Sequence, residues 1–280
     1  MLNDHHIGHE DVTIELDYYC LRRCLSMTAN KSLSQTLQRG LMILDLYTKS
    51  ESEYSVKEIS DILKFSPTIG FRLVNTLVGM GYLTKNVSNG KYRLGMSSYR
   101  LGIFANPNPK LVEKSHPFLE KISSETNETV SINVLDPVKM EGVCIASVES
   151  EDNIKFSSPV GLSRPLYKGA SRKTILAYLT PSQQELVIDE AKKQGFQQIE
   201  KLKKELQLIK KNGYCYSEGE VTAGALNVSS PILTKEGLIL ASIAIHCPAY
   251  RKKEDTVKKF TMLVKEAARD ISFLMNNYDE

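Results

Sequence analysis

A pattern of two short helices followed by a hairpin, at residues 55–95, constrains the fold of this 280-residue chain more than any other feature. Apolar residues recur at helical spacing and then give way to strand-like alternation. The two helical and the two strand-like segments are, in order, 56–63, 68–80, 82–85 and 91–94. The Ser66-Pro67 pair is a typical helix start, and Asn89-Gly90 suits a tight turn. With an amphipathic helix at 34–49 in front, the pattern predicts a winged helix-turn-helix.

Charge along the chain favours DNA binding by this segment. No Asp or Glu occurs from Ile62 to Val112, although 33 acids in 280 residues would place about 6 in such a window. The window holds seven bases, whereas the formal net charge of the whole chain is only +3, so the basic character is local. A cationic surface without anions suits a phosphate backbone. The alternative is a solvated basic face on an ordinary small domain.

Composition indicates a globular cytoplasmic protein of two domains, with 41% apolar and 25% charged residues. No apolar run approaches the roughly 18 residues of a membrane span, so no membrane contact is expected. The N-terminus carries no secretory pattern. Five scattered cysteines are typical of reduced, mostly buried thiols.

Residues 1–30 are predicted to form a poorly ordered extension, and Met27 is the expected natural start. The extension contains metal-capable side chains, but their spacing matches no zinc pattern. These side chains are His5, His6, His9, Cys20 and Cys24. We therefore expect neither a metal nor a cofactor.

The second half of the chain is predicted to be an α+β domain with a largely antiparallel sheet. The segment Asn106-Pro107-Asn108-Pro109 interrupts the pattern and marks the domain boundary. The expected divisions are a winged helix-turn-helix at 31–95, a linker helix at 96–110 and a second domain at 111–280. Predicted strands are 129–135, 143–148, 153–157, 214–217, 225–233 and 238–246, and predicted helices are 111–126, 171–179, 181–193, 197–211 and 255–275.

With these elements in order, the chain resembles the IclR family of bacterial transcriptional regulators. The resemblance rests on LQRGLMILDLY (37–47), FRLVNTL (71–77), HPFLE (116–120), RPLYKGASRK (164–173) and IAIHCP (243–248). It implies a homodimer or dimer of dimers that binds a palindromic operator in double-stranded DNA. It also implies a GAF- or PAS-like second domain that binds a small effector, often an organic or aromatic acid. One departure is the turn 66–70, which is usually Pro-Lys-Ser-Thr-like, so the family pattern says least about contacts there.

The predicted DNA contacts lie on the helix that follows Ser66 and on the hairpin. Thr68 and Arg72 are the expected base or phosphate contacts, although Arg72 could instead form a surface salt bridge. Phe71 either meets a thymine methyl group or packs half-buried. The hairpin bases are expected to hold phosphates. The full predicted set is Ser66, Thr68, Ile69, Phe71, Arg72, Asn75, Lys85, Lys91 and Arg93.

The resemblance further implies an effector pocket between the sheet and the helix that follows residues 164–166. Its lining would be Phe156, Ala170, Ser171, Ser217, Asn227, Ala244 and His246. Ala170 and Ser171 begin a helix, whose free N–H groups and dipole would favour a carboxylate. Polar side chains would add hydrogen bonds, and Phe156 an apolar wall. The alternative for His246 is a strand histidine with satisfied hydrogen bonds, and for the others an ordinary core.

No catalytic motif is present, such as a Gly-x-Ser-x-Gly elbow, a Walker loop or His-Glu-x-x-His, so we do not expect an enzyme. Two other functions stay open at this point. The first is a thiol-dependent hydrolase built on Cys215, with Glu218, Glu220 and His246 as possible neighbours. The second is a DNA-binding protein that responds to no ligand.

Overall fold

The computed structural model describes residues 33–48, 53–105 and 108–277. The chain divides into two compact units, Met1–Asn106 and Pro107–Glu280, which are described separately below. The division falls within the Asn106-Pro107-Asn108-Pro109 segment. The predicted extension at 1–30, its histidines and cysteines, and Met27 lie outside the described residues.

The first unit consists of three helices, a hairpin and a fourth helix. In chain order these are α1 (Gln35–Leu46), α2 (Val56–Leu63), α3 (Pro67–Gly79), β1 (Leu83–Lys85), β2 (Tyr92–Leu94) and α4 (Met96–Phe104). Serines at 34, 55 and 66 cap the first three helices, because each hydroxyl accepts a backbone N–H from the first turn. The strands β1 and β2 pair antiparallel, with Leu83 opposite Leu94. This is the predicted winged helix-turn-helix.

A small apolar core holds the first unit together. Its fully buried members include Ile43 on α1, Ile59 on α2, Val74 on α3 and Leu83 on β1. Gly70 lies where α3 crosses α2, and a Cβ atom there would collide with the Oγ of Ser60. Gly70 therefore allows a close crossing of α3 and α2.

The second unit is built on a six-stranded antiparallel sheet with strand order β5-β4-β3-β8-β7-β6. The strands are β3 (Thr129–Asp136), β4 (Glu141–Val148), β5 (Ser163–Pro165), β6 (Cys215–Glu218), β7 (Ala225–Leu233) and β8 (Ile239–Pro248). The helices are α5 (Pro109–Thr126), α6 (Ala170–Ala177), α7 (Pro181–Lys193), α8 (Ile199–Asn212) and α9 (Thr256–Asn276), and a 3-10 turn spans Ala249–Arg251.

The strand predicted at 153–157 is wrong, because these residues form bends and extended chain without strand pairing. Local hydrogen bonds hold the segment instead: Lys155 donates to the carbonyl of Ser150, and Ser157 donates to Glu149. Side-chain bonds of this kind compete with sheet pairing. The edge strand forms further along, at β5, where Arg164 pairs with Gly142.

The two faces of the sheet differ in chemistry. One face packs against α5 and α9 through an apolar cluster that contains Ile132, Ile243 and Val264. The opposite face is polar and carries α6. Ser217, Ser229 and Ser242 each bond to α6 from a different strand. Every residue of α6 is buried, so this polar interface is the interior of the unit.

We expect Gly70→Ala to destabilise the first unit by about 1–3 kcal/mol through overpacking against Ser60. Alanine is the better helix former by about 1 kcal/mol. The sign of the change in unfolding free energy therefore shows whether overpacking or helix propensity is the larger effect. Urea unfolding followed by circular dichroism measures the change. In a Ser60→Ala background the collision is removed, and Gly70→Ala should then be neutral or stabilising. Stabilisation by Gly70→Ala alone would contradict the close crossing.

Candidate DNA-binding surface and effector site

Helix α3 presents the predicted recognition residues on its outer side. Thr68, Arg72 and Asn75 are exposed, and Ile69 is half-buried. Phe71 is 54% exposed, so both of its predicted roles, contact with a thymine methyl group and half-buried packing, stay open. Ser66 is also exposed, and its hydroxyl is engaged as the helix cap. None of the ion pairs within the described ranges involves Arg72, so the salt-bridge alternative finds no support there.

The hairpin does not lack neighbouring acids, and that part of the charge argument is wrong. The ammonium of Lys91 lies 2.9 Å from the carboxylate of Glu58 on α2. Glu53 accepts hydrogen bonds from Asn86 and Asn89 in the turn. Both acids precede the acid-free window in sequence, but the fold places them beside the hairpin. Lys91 is therefore already partly neutralised.

A short pairing explains how the acids reach the hairpin. Tyr54 and Tyr92 exchange two backbone hydrogen bonds, of 3.0 and 2.7 Å, so the chain just before α2 pairs with the edge of the hairpin through one isolated bridge. This contact cannot be predicted from the sequence, because a single bridge has no repeating pattern. Lys85 and Arg93 are exposed and remain the better candidates for phosphate contacts.

Glu58 has two structural roles at the start of α2. Its carboxylate accepts the backbone N–H of Ser55 at 2.6 Å, which closes a capping box, and it also pairs with Lys91. The Ser55 backbone bond, followed by the Lys91 contact, lowers the pKa of Glu58 to about 2. The ionised carboxylate is therefore the form that stabilises the folded unit.

In the second unit, the polar face of the sheet brings together six of the seven predicted effector residues. Ser217, Asn227 and His246 are register neighbours on β6, β7 and β8. Ala244 lies two residues before His246 on β8, and Ala170 and Ser171 begin α6 above the sheet. Phe156 is the exception, because it is half-buried in the loop between β4 and β5.

The start of α6 does not offer the free donors that the sequence analysis expected. The N–H of Ala170 donates to the hydroxyl of Ser217 at 3.0 Å. The N–H of Gly169, just before the helix, donates to the carboxylate of Glu220 at 3.0 Å. The expectation of free N–H groups is thus wrong at Ala170, because the chain supplies its own acceptors, one of them anionic.

His246 is held in a buried network. One ring nitrogen, Nδ1, lies 2.7 Å from Oδ1 of Asn227, and the other, Nε2, lies 2.8 Å from Oγ of Ser131. Asn133 extends the network by donating to Ser131 at 3.0 Å. Burial, with a contribution from Arg172, lowers the pKa of His246 to about 3, so the imidazole is neutral. Ser131 and Asn133 were missed because their types and spacing are ordinary in a strand.

Two surface cavities flank α8 in the second unit. The first, of about 430 Å³, lies over the ammonium of Lys173, which bridges Glu205 at 2.8 Å and Glu220 at 2.6 Å. The second, of about 380 Å³, lies between α7 and α8. Neither cavity is lined by a predicted effector residue.

Cys215, the centre of the hydrolase alternative, is unsuited to nucleophilic chemistry. Its side chain is buried, and burial raises the pKa of its thiol to about 12. A reactive cysteine needs the opposite shift, toward the thiolate. The imidazole of His246 bonds to Asn227 and Ser131 rather than to this thiol.

Two further searches cover only residues 33–48, 53–105 and 108–277. Within these ranges, no group of three His, Cys, Asp or Glu side chains could hold a metal ion. No helix there is long and apolar enough to cross a membrane.

Comparison with family models assigns both units. The model described as "IclR helix-turn-helix domain" matches residues 36–86, and "Bacterial transcriptional regulator IclR C-terminal" matches residues 106–273. The chain belongs to the IclR family of bacterial transcriptional regulators. The chain is therefore a regulator with a helix-turn-helix domain and a C-terminal effector domain.

Named relatives span most of this chain. The regulator KdgR of Dickeya chrysanthemi is 26% identical over 234 residues, which cover 82% of this chain and 76% of KdgR. The repressor AllR of Escherichia coli K12 is 26% identical over 244 residues, which cover 85% of this chain and 89% of AllR.

Solved IclR structures share the fold. The IclR of Thermotoga maritima is 26% identical, with a TM-score of 0.60 over 86% of this chain and 98% of that one. An IclR homologue of Microbacterium hydrocarbonoxydans, complexed with 4-hydroxybenzoate, is 21% identical, with a TM-score of 0.67 over 85% of this chain and 98% of that one.

The lowered pKa of Glu58 predicts acid lability of the first unit. The stabilisation is fully present above the unfolded pKa of about 4.3 and is lost as the pH falls toward 2. Because the side chain is 43% exposed, solvent screening limits the effect to about 1 kcal/mol or less. Glu58→Gln should show a smaller loss of unfolding free energy between pH 5 and pH 2.5 in urea titrations. Glu266→Gln on α9 is the control, and identical losses in wild type and Glu58→Gln would refute the assignment.

Proposed function

We propose that this protein is a ligand-responsive repressor that binds a palindromic operator through α3 and the hairpin. The observation that carries the proposal is the outer face of α3, where Thr68, Arg72 and Asn75 are exposed and the arginine has no partner among the described ion pairs. A helix that follows a helix-turn-helix turn reads base edges in the major groove. The repressor role is supported by the named relative AllR. Residues 31–95 would bind DNA, 96–110 would form the linker, and 111–280 would bind the effector.

Within this proposal, Arg72 is the main specific contact. A guanidinium can bond a guanine edge with two parallel hydrogen bonds, which phosphate contacts from the hairpin cannot replace. Lys85 and Arg93 would hold phosphates, and Lys91 would contribute less because it already faces Glu58. Phe71, at 54% exposure, would meet a thymine methyl group.

A homodimer would present two copies of α3 to a palindrome. Helix α4 supplies an apolar surface for it, since α4 has no buried residue within its own unit. Its large exposed apolar side chains are Met96, Tyr99, Leu101, Ile103 and Phe104. We propose that a second copy covers this face, with a dimer of dimers as the larger assembly.

The second unit would receive a small carboxylate. A relative complexed with 4-hydroxybenzoate supports an acid as the ligand class. The buried, raised-pKa thiol of Cys215 argues against the hydrolase alternative, so we propose a binding domain without catalysis. A cytoplasmic location follows from a role on DNA.

Arg72→Ala should weaken operator binding by about 5–150-fold, which corresponds to about 1–3 kcal/mol for a bidentate base contact. Fluorescence anisotropy measures the effect, with a duplex selected in vitro on the wild-type protein. Lys91→Ala is the matched control on the same surface and should lose clearly less. Arg269→Ala, on α9, should bind as wild type does. Equal affinities for wild type and Arg72→Ala at moderate salt would contradict the assignment.

A carboxylate should change the affinity for the selected operator, since an effector acts through a coupling free energy between two sites. The expected change is about 5-fold or more for at least one acid in a panel that includes 4-hydroxybenzoate, glycolate and gluconate. The uncharged amide of each acid is its control. An operator affinity that no acid changes would instead support the regulator without a ligand.

A further inference from the structure

Arg172 is a cation in the interior of the second unit that is not among the predicted site residues, although it lies within the RPLYKGASRK segment. It is the third residue of α6 and is 6% exposed. Its side chain lies over β4 at Gly142, where a Cβ atom would come within 2.7 Å of Cγ of Arg172. Glycine at position 142 therefore leaves the space that the arginine side chain occupies.

Two of the three guanidinium nitrogens of Arg172 have no hydrogen-bond partner among the described residues. Nη1 lies 3.3 Å from the hydroxyl of Ser171 and donates to it. Nε and Nη2 are buried and have no acceptor among the described residues. These two nitrogens form one edge of the planar fork, and their parallel N–H groups match the two oxygens of a carboxylate.

No anion faces this guanidinium in the described part of the chain. The groups that influence its charge are the thiol of Cys144 and the guanidinium of Arg164. Arg172 in turn helps to lower the pKa of the imidazole of His246. Burial raises the pKa of Cys144, so the thiol is not an anion at neutral pH. Burial also lowers the pKa of Arg172 to about 10, which reflects the cost of an uncompensated charge.

Two other cations of the unit, the buried Lys173 and the half-buried Arg251, have carboxylate partners. Lys173, the next residue, bridges Glu205 and Glu220. Arg251 contacts Glu128 at 3.2 Å and Asp152 at 2.9 Å. Buried charges are normally paired in this way, because an unpaired charge is strongly unfavourable away from water. Arg172 departs from that pattern within the described residues.

An unsatisfied acceptor lies on the same face of the sheet. Oδ1 of Asn133 is buried without a donor among the described residues. Asn133 is the register partner of Cys144, whose thiol is one of the groups that act on Arg172. A free donor edge and a free acceptor thus occur on one face of the sheet.

We propose that Arg172 binds the carboxylate of the effector through Nε and Nη2, and that Asn133 accepts a hydroxyl from the same molecule. The inference rests on the proposed ligand-responsive function and adds the ligand class, a small hydroxy acid. Arg172 then determines specificity for the anion, in place of the start of α6. Arg172 does not line either of the two cavities beside α8, so the proposal requires that α6 and the sheet separate to admit the ligand.

The first experiment compares unfolding temperatures without ligand. Arg172→Met removes an uncompensated charge, so its unfolding temperature should equal or exceed that of wild type, by up to about 4 °C. Arg251→Met is the contrast, because it leaves Glu128 buried without its partner, and its unfolding temperature should fall. A fall in Arg172→Met as large as that in Arg251→Met would overturn the proposal in favour of a structural role.

The second experiment adds probes: glycolate, gluconate and 4-hydroxybenzoate, the amide of each, and inorganic phosphate. At least one hydroxy acid should raise the unfolding temperature of wild type, and its amide should not. The shift should vanish in Arg172→Met and be reduced in Arg172→Lys, which keeps the charge but loses the Nε–Nη2 edge. Asn133→Ala should lower the affinity for the hydroxy acid about 5-fold or more, to that for the matching acid without a hydroxyl.

Each other outcome overturns the proposal in a recognisable way. Equal increases in unfolding temperature in wild type and Arg172→Met would rule out carboxylate binding by Arg172. They would not contradict the proposed ligand-responsive function. An increase in unfolding temperature with phosphate and with none of the acids would rule out a carboxylate as the ligand. If no probe changes the unfolding temperature, the proposed hydroxy-acid site is ruled out. Operator binding by the same samples then tests the DNA-binding function independently.

Discussion

Helix α6 is buried along its whole length against a polar face of the sheet, and the organisation of the second unit depends on how that polarity is satisfied. An unsatisfied buried polar group costs about 1–3 kcal/mol, so each such group needs a partner. Serines on β6, β7 and β8 supply one set of partners, and the His246 network supplies another. The opposite face needs no such pairing, because it is apolar and packs on α5 and α9.

The first unit has a different constraint. It is small, and in the proposed function its outer surface must remain accessible to DNA. Three helices share a core of a few residues, and the crossing at Gly70 brings α3 close to α2. That packing leaves the outer side of α3 free of apolar contacts other than the exposed Phe71. Glu53 and Glu58 stabilise the hairpin through Asn86, Asn89 and Lys91, and they reduce the positive charge at its base. In the proposed function, sequence discrimination would therefore depend on α3 more than on the hairpin.

Much of this fold is predictable from local sequence. Caps such as Ser55 and Ser66, and the alternation along β7 and β8, are read directly from neighbouring residues. Residues 153–157 were misassigned because a β-like composition does not reveal that side chains bond to nearby backbone. The acid-free window was misleading for a related reason. It is continuous in sequence, whereas the surface of the hairpin includes Glu58, which is 33 residues from Lys91.

The candidate site was harder to predict because its chemistry depends on distant pairs. Ala170 and Ser171 were correctly placed at a helix start, but the acceptor that binds Gly169 is Glu220, 51 residues further on. Likewise, nothing in the pair Arg172-Lys173 indicates which cation has a partner. Only the three-dimensional arrangement shows two carboxylates beside one and none beside the other.

The geometry of α6 explains why two adjacent cations have opposite environments. Successive residues of a helix point about 100° apart, so Lys173 reaches the cavity beside α8 while Arg172 faces β4. Glu220 bonds both to Lys173 and to the N–H of Gly169, so a single carboxylate satisfies the lysine and occupies the start of the helix. A ligand anion at that helix start would have to displace Glu220 and leave Lys173 with Glu205 alone. Binding at Arg172, as proposed, would disrupt no ion pair among the described residues. The expected acid near α6 stays a prediction, with Arg172 proposed as its counter-charge.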